Sequence, residues 1–303
     1  MSLIAVILII ASSFMHIGWN YLIKYISSDS IYMVYVYILT SVLFCPALIY
    51  YRNEMIYLLP LTVPLILSAF FKAFANWSLV RGYRYGDYSY IYPLRNALPM
   101  VFSCIWGVII GKAAEVTPVA YIGFLFVFIG CLLIPVHDRK DFSLKNYINR
   151  SFIYTFLSSL ATAGYSVIDS FVTNRFNTVS HLDNFSVAIF LIPIFYSTLA
   201  IFMFQFIWLD KKLNDKKDTA ININRKPYKF WHILIHALCM SIGYLLILIA
   251  FTYADNVSYV VAFRQIGMPI SFIVGYFILK EKIYPGKAIG LITIITGLLM
   301  TVK

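Results

Sequence analysis

The chain has 303 residues, of which 61% are hydrophobic and only 12% charged, and its mean hydropathy is +0.81. Charged residues make up about 25% of an ordinary soluble domain, so this composition excludes a soluble globular protein. The formal net charge of +11 does not indicate a nucleic-acid partner. The basic residues lie in loops between apolar stretches, where lipid headgroups and membrane orientation account for them.

Apolar stretches of about 20 residues, each long enough to cross a bilayer as a helix, recur along the whole chain. They predict an all-α membrane protein with ten transmembrane helices. The predicted spans are residues 3–23, 31–51, 57–80, 88–111, 116–136, 151–173, 183–208, 231–254, 258–279 and 284–302. Two longer connections, 137–150 and 209–230, are rich in charge and are predicted to be solvated loops.

Internal repetition predicts the architecture. The segment Tyr83–Pro99 returns in altered form as Tyr253–Pro269, and aligning their Ser-Tyr pairs brings Arg95 onto Arg264. Further matched anchors are Gly18-Trp19-Asn20 with Gly164-Tyr165-Ser166, and Pro118, Gly123 and Gly130 with Pro285, Gly290 and Gly297. Spans one to five therefore correspond to spans six to ten.

Each repeat contains five predicted helices. Because five is odd, two consecutive units enter the membrane from opposite sides. We predict two inverted five-helix repeats, residues 1–136 and 151–303, joined by the loop 137–150. Inverted repeats underlie many alternating-access transporters, whose binding sites lie near the bilayer midplane between the halves.

The distribution of Lys and Arg predicts the orientation. Seventeen of the 24 lie in the loops that follow the odd-numbered spans or, in the case of Lys287, within the first residues of the next span, and four lie on the opposite side. Cytoplasmic loops carry the excess of basic residues. This count places the loop 209–230 in the cytoplasm and both chain termini outside.

Arg95 and Arg264 are the first candidates for a substrate site. A charge at hydrocarbon depth is costly and is functional by default, and the guanidinium fork matches a carboxylate or phosphate. We expect both to face a central cavity and bind an anionic group. In the alternative, structural role they neutralise a buried carboxylate or bind carbonyls freed at Pro93, Pro99 and Pro269.

Asp169 is the only carboxylate well inside a predicted span, which makes it a candidate for coupling to protons. It could exchange a proton as its surroundings change, or it could simply neutralise one of the arginines. His16 is the second candidate, because imidazole titrates near neutral pH. With Asn20 one turn away, His16 could instead form an interhelical hydrogen bond.

Lys72 could line the path or snorkel to the membrane interface. Its depth in its span favours the path. The predicted substrate-binding residues are Arg95, Arg264, His16, Trp19, Asn20, Lys72, Tyr92, Tyr165 and Gln265, with Asp169 and His16 as coupling residues.

The remaining histidine and carboxylate side chains that stand out in the sequence are assigned structural roles. His232 and His236 have helical spacing but no acidic third ligand nearby, so no metal is predicted. Asp87 and Asp255 precede predicted helices and are expected to cap them. The expected loop anchors are Glu115 and Glu281.

Four motifs resemble the EamA branch of the drug/metabolite transporter superfamily and together cover nearly the whole chain. They are HxxWNxxxK at 16–24, YRYGDYSYIYPLR at 83–95, AGYSVID at 163–169 and FRQIGMPxSFxxGYFxLKEK at 263–282. The resemblance implies a ten-helix secondary transporter with both termini in the cytoplasm, opposite to the charge count. Four-helix relatives carry an essential glutamate in their first helix. The first span here has no carboxylate, so their coupling scheme is not expected to apply unchanged.

We therefore expect a secondary active transporter that moves a small metabolite or drug by alternating access and is coupled to protons. It would be a multi-pass protein of the bacterial inner membrane, with no cofactor and no obligate protein partner. No GxxxxGK[ST], HExxH or GxSxG motif indicates ATP hydrolysis or a membrane enzyme. Two alternatives stay open: an integral-membrane enzyme acting on lipid-linked substrates, and a non-transporting partner subunit.

Overall fold

The computed structural model describes residues 3–26, 30–109, 118–136, 148–213, 227–252 and 266–301. The regular structure in these ranges is helical throughout, without a strand. The elements are α1 (Leu3–Tyr25), α2 (Ser30–Tyr50), the 3-10 helix η1 (Arg52–Leu61), α3 (Thr62–Tyr85), α4 (Tyr88–Ile109), α5 (Pro118–Leu133), α6 (Arg150–Val179), α7 (Asn184–Leu213), α8 (Phe230–Thr252), α9 (Gly267–Phe277) and α10 (Pro285–Thr301).

Six helical segments of the described chain are long and apolar enough to cross a membrane. They lie in α1, α2, η1 with α3, α6, α7 and α8. The helices α5, α9 and α10 are also apolar but shorter, with 16, 11 and 17 residues. The prediction of a helical membrane protein is confirmed at this level, and part of the predicted span 258–279 lies outside the described residues.

Two helix boundaries differ from the predicted spans. The predicted span 57–80 is a 3-10 segment containing Pro60 followed by a helix that continues to Tyr85. Proline has no N–H to donate, which disfavours regular α-helix at that point. The helix α6 continues to Val179, beyond the predicted end at residue 173. Hydropathy marks only the apolar part of a helix, whereas backbone hydrogen bonds continue into polar sequence.

Segments next to five helix connections meet at one end of the bundle, which we call the basic end. They adjoin the loops α1–α2, α3–α4, α5–α6, α7–α8 and α9–α10. The contacts that define this end are Lys24 with Gly86, Tyr25 with His232, Tyr85 with Arg150, Asp87 with Lys287, and Val136 with Gly286. The described residues that flank the loops rich in Lys and Arg are thus grouped at one end of the bundle.

The opposite end gathers the start of α1, the ends of α2 and α6, the start of α7 and the end of α8. Its contacts are Tyr51 with Ser186, Phe176 with Phe190, and Ile9 with Ala250. Since each of α1, α2, α3, α6, α7 and α8 has one terminus at each end, these successive helices run in opposite directions. Within the bundle, α1 packs on α8, α2 on α7, α3 on α6 and α5 on α10.

The pair α5 and α10 crosses through glycines that bring the two backbones together. A Cβ atom built on Gly130 would lie 2.7 Å from the carbonyl oxygen of Gly290, and one on Gly297 would lie 2.5 Å from that of Gly123. Only glycine fits such close approaches, because the obstructing atoms are backbone. The two contacts also show that the helices are antiparallel.

Several contacts occur twice, at positions that the sequence repeat relates. The hydroxyl of Ser12 donates to the carbonyl of Gly243 at 2.6 Å, and that of Ser158 donates to Ala75 at 2.8 Å. A Cβ on Gly18 would meet Cys239 at 3.6 Å, and one on Gly164 would meet Phe71 at 3.7 Å. Pairing Gly18 with Gly164, and Tyr85-Gly86-Asp87 with Tyr253-Ala254-Asp255, carries each contact onto its counterpart. This second pairing is shifted by one residue from the alignment that brings Arg95 onto Arg264.

Candidate functional site

Arg95 lies beside the first helix, in the middle of the predicted substrate site. Its guanidinium carbon is 5.7 Å from the centre of the Trp19 ring, within the range of a cation–π contact. The indole N–H of Trp19 donates to Nδ1 of His16 at 3.1 Å, and the Asn20 side chain donates to the His16 carbonyl at 2.9 Å. The structure therefore brings these four predicted residues together.

A line of buried tyrosines continues this site along α3 and α4. The hydroxyl of Tyr83 donates to Asn20 at 3.0 Å, and its ring stacks on Tyr88 with centroids 5.8 Å apart. The ring of Tyr88 contacts that of the predicted site residue Tyr92, with centroids 5.4 Å apart. Tyr83 and Tyr88 are essentially inaccessible, so they are packing residues of the bundle.

The guanidinium of Arg95 is poorly satisfied by the protein. Its Nη1 donates to Asn96 at 3.3 Å, a long and therefore weak hydrogen bond. Its Nε is buried, and no described residue accepts a hydrogen bond from it. Pro93 and Pro99 lie within the same helix, and each removes a backbone hydrogen bond one turn earlier. A ligand with acceptor oxygens would satisfy this cation.

Lys72, Tyr165 and Asp169 form a second cluster, at the packed faces of α3, α6 and α7. The ammonium of Lys72 is 2.7 Å from the Asp169 carboxylate, which also accepts a hydrogen bond from Ser68. The same ammonium lies 3.4 Å from the centre of the Phe195 ring and 5.6 Å from that of Tyr165. The carboxylate therefore neutralises a lysine and not, as the structural alternative supposed, an arginine.

Two tyrosines that the sequence did not single out, Tyr37 of α2 and Tyr196 of α7, lie next to each other in the bundle. Tyr37 is fully buried and close enough to Arg95 and to Tyr165 to interact electrostatically with both. Its ring centre is 6.0 Å from that of Tyr196, which interacts in turn with Asp169. The only sequence signal was the position of these hydroxyls deep inside apolar spans.

His232 and His236 take part in packing and hydrogen bonding between helices. The hydroxyl of Tyr32 donates to the His232 carbonyl at 2.9 Å and lies 3.1 Å from Nδ1 of His236. The ring of His236 stacks on Trp19 with centroids 5.8 Å apart. No group of three His, Cys, Asp or Glu side chains in the described ranges could hold a metal ion.

Charged side chains join the two halves of the chain at the basic end. The Glu281 carboxylate accepts from the backbone N–H groups of Tyr88 and Ser89 at 2.6 and 2.8 Å. Lys287 lies 2.6 Å from the Asp87 carboxylate and is 4% exposed. Glu281 is thus the loop anchor that was expected, whereas the first amides of α4 are capped by Glu281 and the side chain of Asp87 pairs with Lys287.

A cavity of about 510 Å³ lies beside these charges. Its lining residues are Lys24, Tyr25, Asp87, Leu279, Lys280, Glu281, Lys282 and Tyr284. The ammonium of Lys24 donates to the carbonyls of Tyr83 and Gly86 at 2.9 and 2.6 Å, which satisfies the end of α3. Lys24 and Glu281 therefore satisfy backbone groups at helix ends, and Asp87 pairs with Lys287.

Four residues named from the sequence lie outside the described residues. Arg264 and Gln265 belong to the predicted substrate site, Asp255 to the predicted helix caps and Glu115 to the loop anchors. Of the two predicted site arginines, only Arg95 lies among the described residues.

The comparison with protein families identifies the second half of the chain. The model of the EamA-like transporter family matches residues 149–303, slightly more than half of the sequence. No curated protein matches the chain. The matched segment contains α6 to α10 and, from the second cluster, Tyr165 and Asp169. The long apolar helices agree with a multi-pass membrane protein. The chain belongs to the EamA-like transporter family.

Proposed function

We propose that the protein is a secondary active transporter that moves a small metabolite or drug across the cell membrane by alternating access. The observation that carries the proposal is the family match together with an incompletely satisfied guanidinium, that of Arg95, inside a bundle of apolar helices. A half-buried cation with a buried donor that has no partner among the described residues is costly in a purely structural role. It is favourable where a ligand supplies the missing acceptors.

The two halves, residues 1–136 and 151–303, are in this proposal inverted five-helix repeats joined by the loop 137–150. The support is the set of paired contacts. The packing of α1 on α8 has its counterpart in α3 on α6, and the hydrogen bonds of Ser12 and Ser158 correspond under the same pairing. In α5 and α10, the repeat pairs Gly123 with Gly290 and Gly130 with Gly297, so it converts the contact of Gly130 with Gly290 into that of Gly297 with Gly123. A two-fold axis in the membrane plane produces such pairs.

The substrate site consists of Arg95 with His16, Trp19, Asn20 and Tyr92, and of Arg264 and Gln265 from the second half. Lys72 and Tyr165 extend it toward α6. Among the described charges near the midplane, Arg95 and Lys72 are positive and Asp169 is negative, which favours a substrate with an anionic group.

Protons are the proposed coupling ion, with Asp169 or His16 as the exchanging group. Protonation of Asp169 would neutralise the partner of Lys72 and free that ammonium for the substrate. Protonation of His16 at Nδ1 would break its hydrogen bond from Trp19, because a protonated nitrogen cannot accept. Either protonation would break an interaction between residues of the proposed substrate site.

The test uses purified protein reconstituted in liposomes. A thermal-shift screen against metabolites first identifies a ligand, because a ligand that binds only the folded state raises the apparent stability. Arg95→Ala and Arg264→Ala should then abolish uptake of that ligand, whereas Arg52→Ala, at an exposed position in η1, should not. Wild-type uptake in both site variants would reject the arginine site.

Coupling is tested separately. With an imposed pH gradient, the wild type should accumulate substrate, and a protonophore should prevent this. A variant of the true coupling residue, Asp169→Asn or His16→Gln, should keep substrate exchange across the membrane but lose gradient-driven accumulation. Accumulation that is unaffected by the protonophore would exclude protons as the coupling ion.

A further inference from the structure

An ion pair joins the two proposed repeats at the basic end. The Lys287 ammonium, in the first turn of α10, lies 2.6 Å from the carboxylate of Asp87, which precedes α4. It also donates to the Ser89 hydroxyl at 3.2 Å and to the Lys282 carbonyl at 3.1 Å, so each of its three N–H groups has an acceptor. The side chain of Lys287 is 4% exposed and that of Asp87 is 46% exposed. A buried lysine of the second half is thus paired with a carboxylate of the first half.

Local stability does not account for a lysine at this position. A cation in the first turn of a helix is opposed by the helix dipole, and its burial adds the cost of desolvation. The shared Pro-Gly-Gly spacing pairs Pro118 with Pro285, and therefore pairs Lys287 with Ala120 in the first turn of α5. Because alanine cannot form an ion pair, the bond of Lys287 at the basic end has no counterpart at the start of α5.

Buried aromatic side chains separate the substrate site from the basic end. Along α4, Arg95 follows Asp87 by two turns, which is about 12 Å. Tyr83, Tyr88 and Tyr92 pack along this stretch and are 1%, 0% and 4% exposed. A substrate bound at Arg95 can therefore leave toward the basic end only if the helices separate there.

We propose that the ion pair of Asp87 with Lys287 is a lock that holds the basic end closed and favours the state in which the substrate site opens to the opposite side of the membrane. This inference rests on the proposed function and adds to it a contact that must break in each transport cycle. A contact made in one of two end states stabilises that state relative to the other. The half-exposed carboxylate of Asp87 can be hydrated when the pair separates, so the lock is reversible.

The hydrogen bonds from the amides of Tyr88 and Ser89 to Glu281 cross between the halves at the same place. A Cβ atom built on Gly275 would lie 2.8 Å from the Cβ of Ser89, so the end of α9 is pressed against the start of α4. Opening of the basic end therefore breaks the ion pair and these two hydrogen bonds together.

Two pairs of spin labels report the two ends of the full-length protein in liposomes, each in a background without the four native cysteines. Ile31→Cys with Ile283→Cys joins the halves at the basic end, and Arg52→Cys with His181→Cys joins them at the opposite end. All four positions are exposed. Double electron–electron resonance measures the distance between the labels of each pair and the population at each distance.

Lys287→Met removes the lock and leaves a carboxylate that water can reach, so the variant should fold. The ratio of protein open at the basic end to protein closed there should rise about tenfold, as expected for the loss of a charge-assisted hydrogen bond with one exposed partner. The distance at the basic end should lengthen in this population while the distance at the opposite end shortens. Asp87→Asn breaks the same bond from the first half and should produce the same shift.

The control is Lys282→Met, which removes an exposed lysine of the same loop that forms no ion pair with a described residue. It should keep the wild-type distances at both ends. The inference is overturned if Lys287→Met and Asp87→Asn keep them too. It is also overturned if the basic end alone lengthens, because a change confined to that end is local fraying.

Transport is scored separately in liposomes without labels. If the wild type takes up a ligand but the lock variants keep the wild-type distances, the proposed function stands and the lock is rejected. If the two ends change in opposite directions in the lock variants but no ligand is moved, the lock stands and the transport proposal fails.

Discussion

The buried charges of this protein are of two kinds, and their partners distinguish them. Lys72 and Asp169 neutralise each other at 2.7 Å, and Ser68 and the Phe195 ring complete their surroundings. Arg95 has a cation–π contact and one long hydrogen bond. A satisfied pair can be structural or can act as a switch, whereas a partly satisfied cation retains donors that a ligand could use.

Substitutions of the ion pair should be strongly non-additive. Lys72→Met or Asp169→Asn alone should lower the free energy of unfolding by about 1–3 kcal/mol, since each leaves one group without its partner at a site that retains some exposure. The double variant should lose less free energy of unfolding than the sum of the losses of the two single variants. Equilibrium denaturation in detergent measures the cycle, and additive losses would show that the pair is not coupled.

At the scale of single elements, the ends of several helices are satisfied by distant side chains. The Glu281 carboxylate caps α4 from the other half of the chain. Its position follows from the end of α9, where Lys280 adopts φ 56° and the N–H of Glu281 donates to Gly275 at 3.0 Å. This left-handed residue is the usual way to end a helix and reverse its chain direction.

Removing this cap should destabilise the protein locally. Glu281→Ala leaves the amides of Tyr88 and Ser89 without their acceptor, at a cost of about 1–2 kcal/mol. Lys282→Ala, an exposed neighbour, is the control and should be neutral. Hydrogen exchange at the start of α4 measures the effect. Equal exchange in the two variants would contradict the assignment of the cap.

The crossing of α5 and α10 should not tolerate a side chain at its glycines. A Cβ at residue 290 would lie 2.7 Å from the Gly130 carbonyl oxygen, so Gly290→Ala should force the helices apart at a cost of about 1–3 kcal/mol. At Gly164 the nearest atom to an added Cβ is 3.7 Å away, so Gly164→Ala should be tolerated. Thermal unfolding of both variants in detergent compares them, and equal stability would contradict the tight crossing.

At the scale of the whole molecule, the contacts of the basic end bring together the described residues that flank the five loops richest in Lys and Arg. They do not say on which side of a membrane this end lies. The charge bias places that end in the cytoplasm with both termini outside. The family resemblance implies the termini inside.

Labelling of a single engineered cysteine decides the orientation. In a background without Cys45, Cys104, Cys131 and Cys239, a cysteine within 209–230 should resist a membrane-impermeant maleimide in intact cells and react after permeabilisation. A cysteine at exposed Arg52, on the opposite side, should show the reverse. Labelling of 209–230 in intact cells would overturn the charge-based orientation and support the one that the resemblance implies.

Much of the fold was determined by the sequence alone, because hydropathy directly reflects the solvent of each segment. Spans of about 20 apolar residues identified the helices, and the repeated Pro-Gly-Gly spacing pointed to two glycine-bearing helices that turn out to pack on each other. The candidate residues Arg95, Lys72 and Asp169 were identified because charges in apolar spans are rare.

The tertiary structure decided which of these residues share a site. Sequence spacing orders side chains along a helix but does not say which neighbouring helix faces them. For that reason Lys72 as the partner of Asp169, and Glu281 as the cap of α4, appeared only after folding. Tyr37 was missed for the same reason. A tyrosine in an apolar span is ordinary, and only the packed structure shows that Tyr37 is fully buried and that its hydroxyl has no hydrogen-bond partner among the described residues.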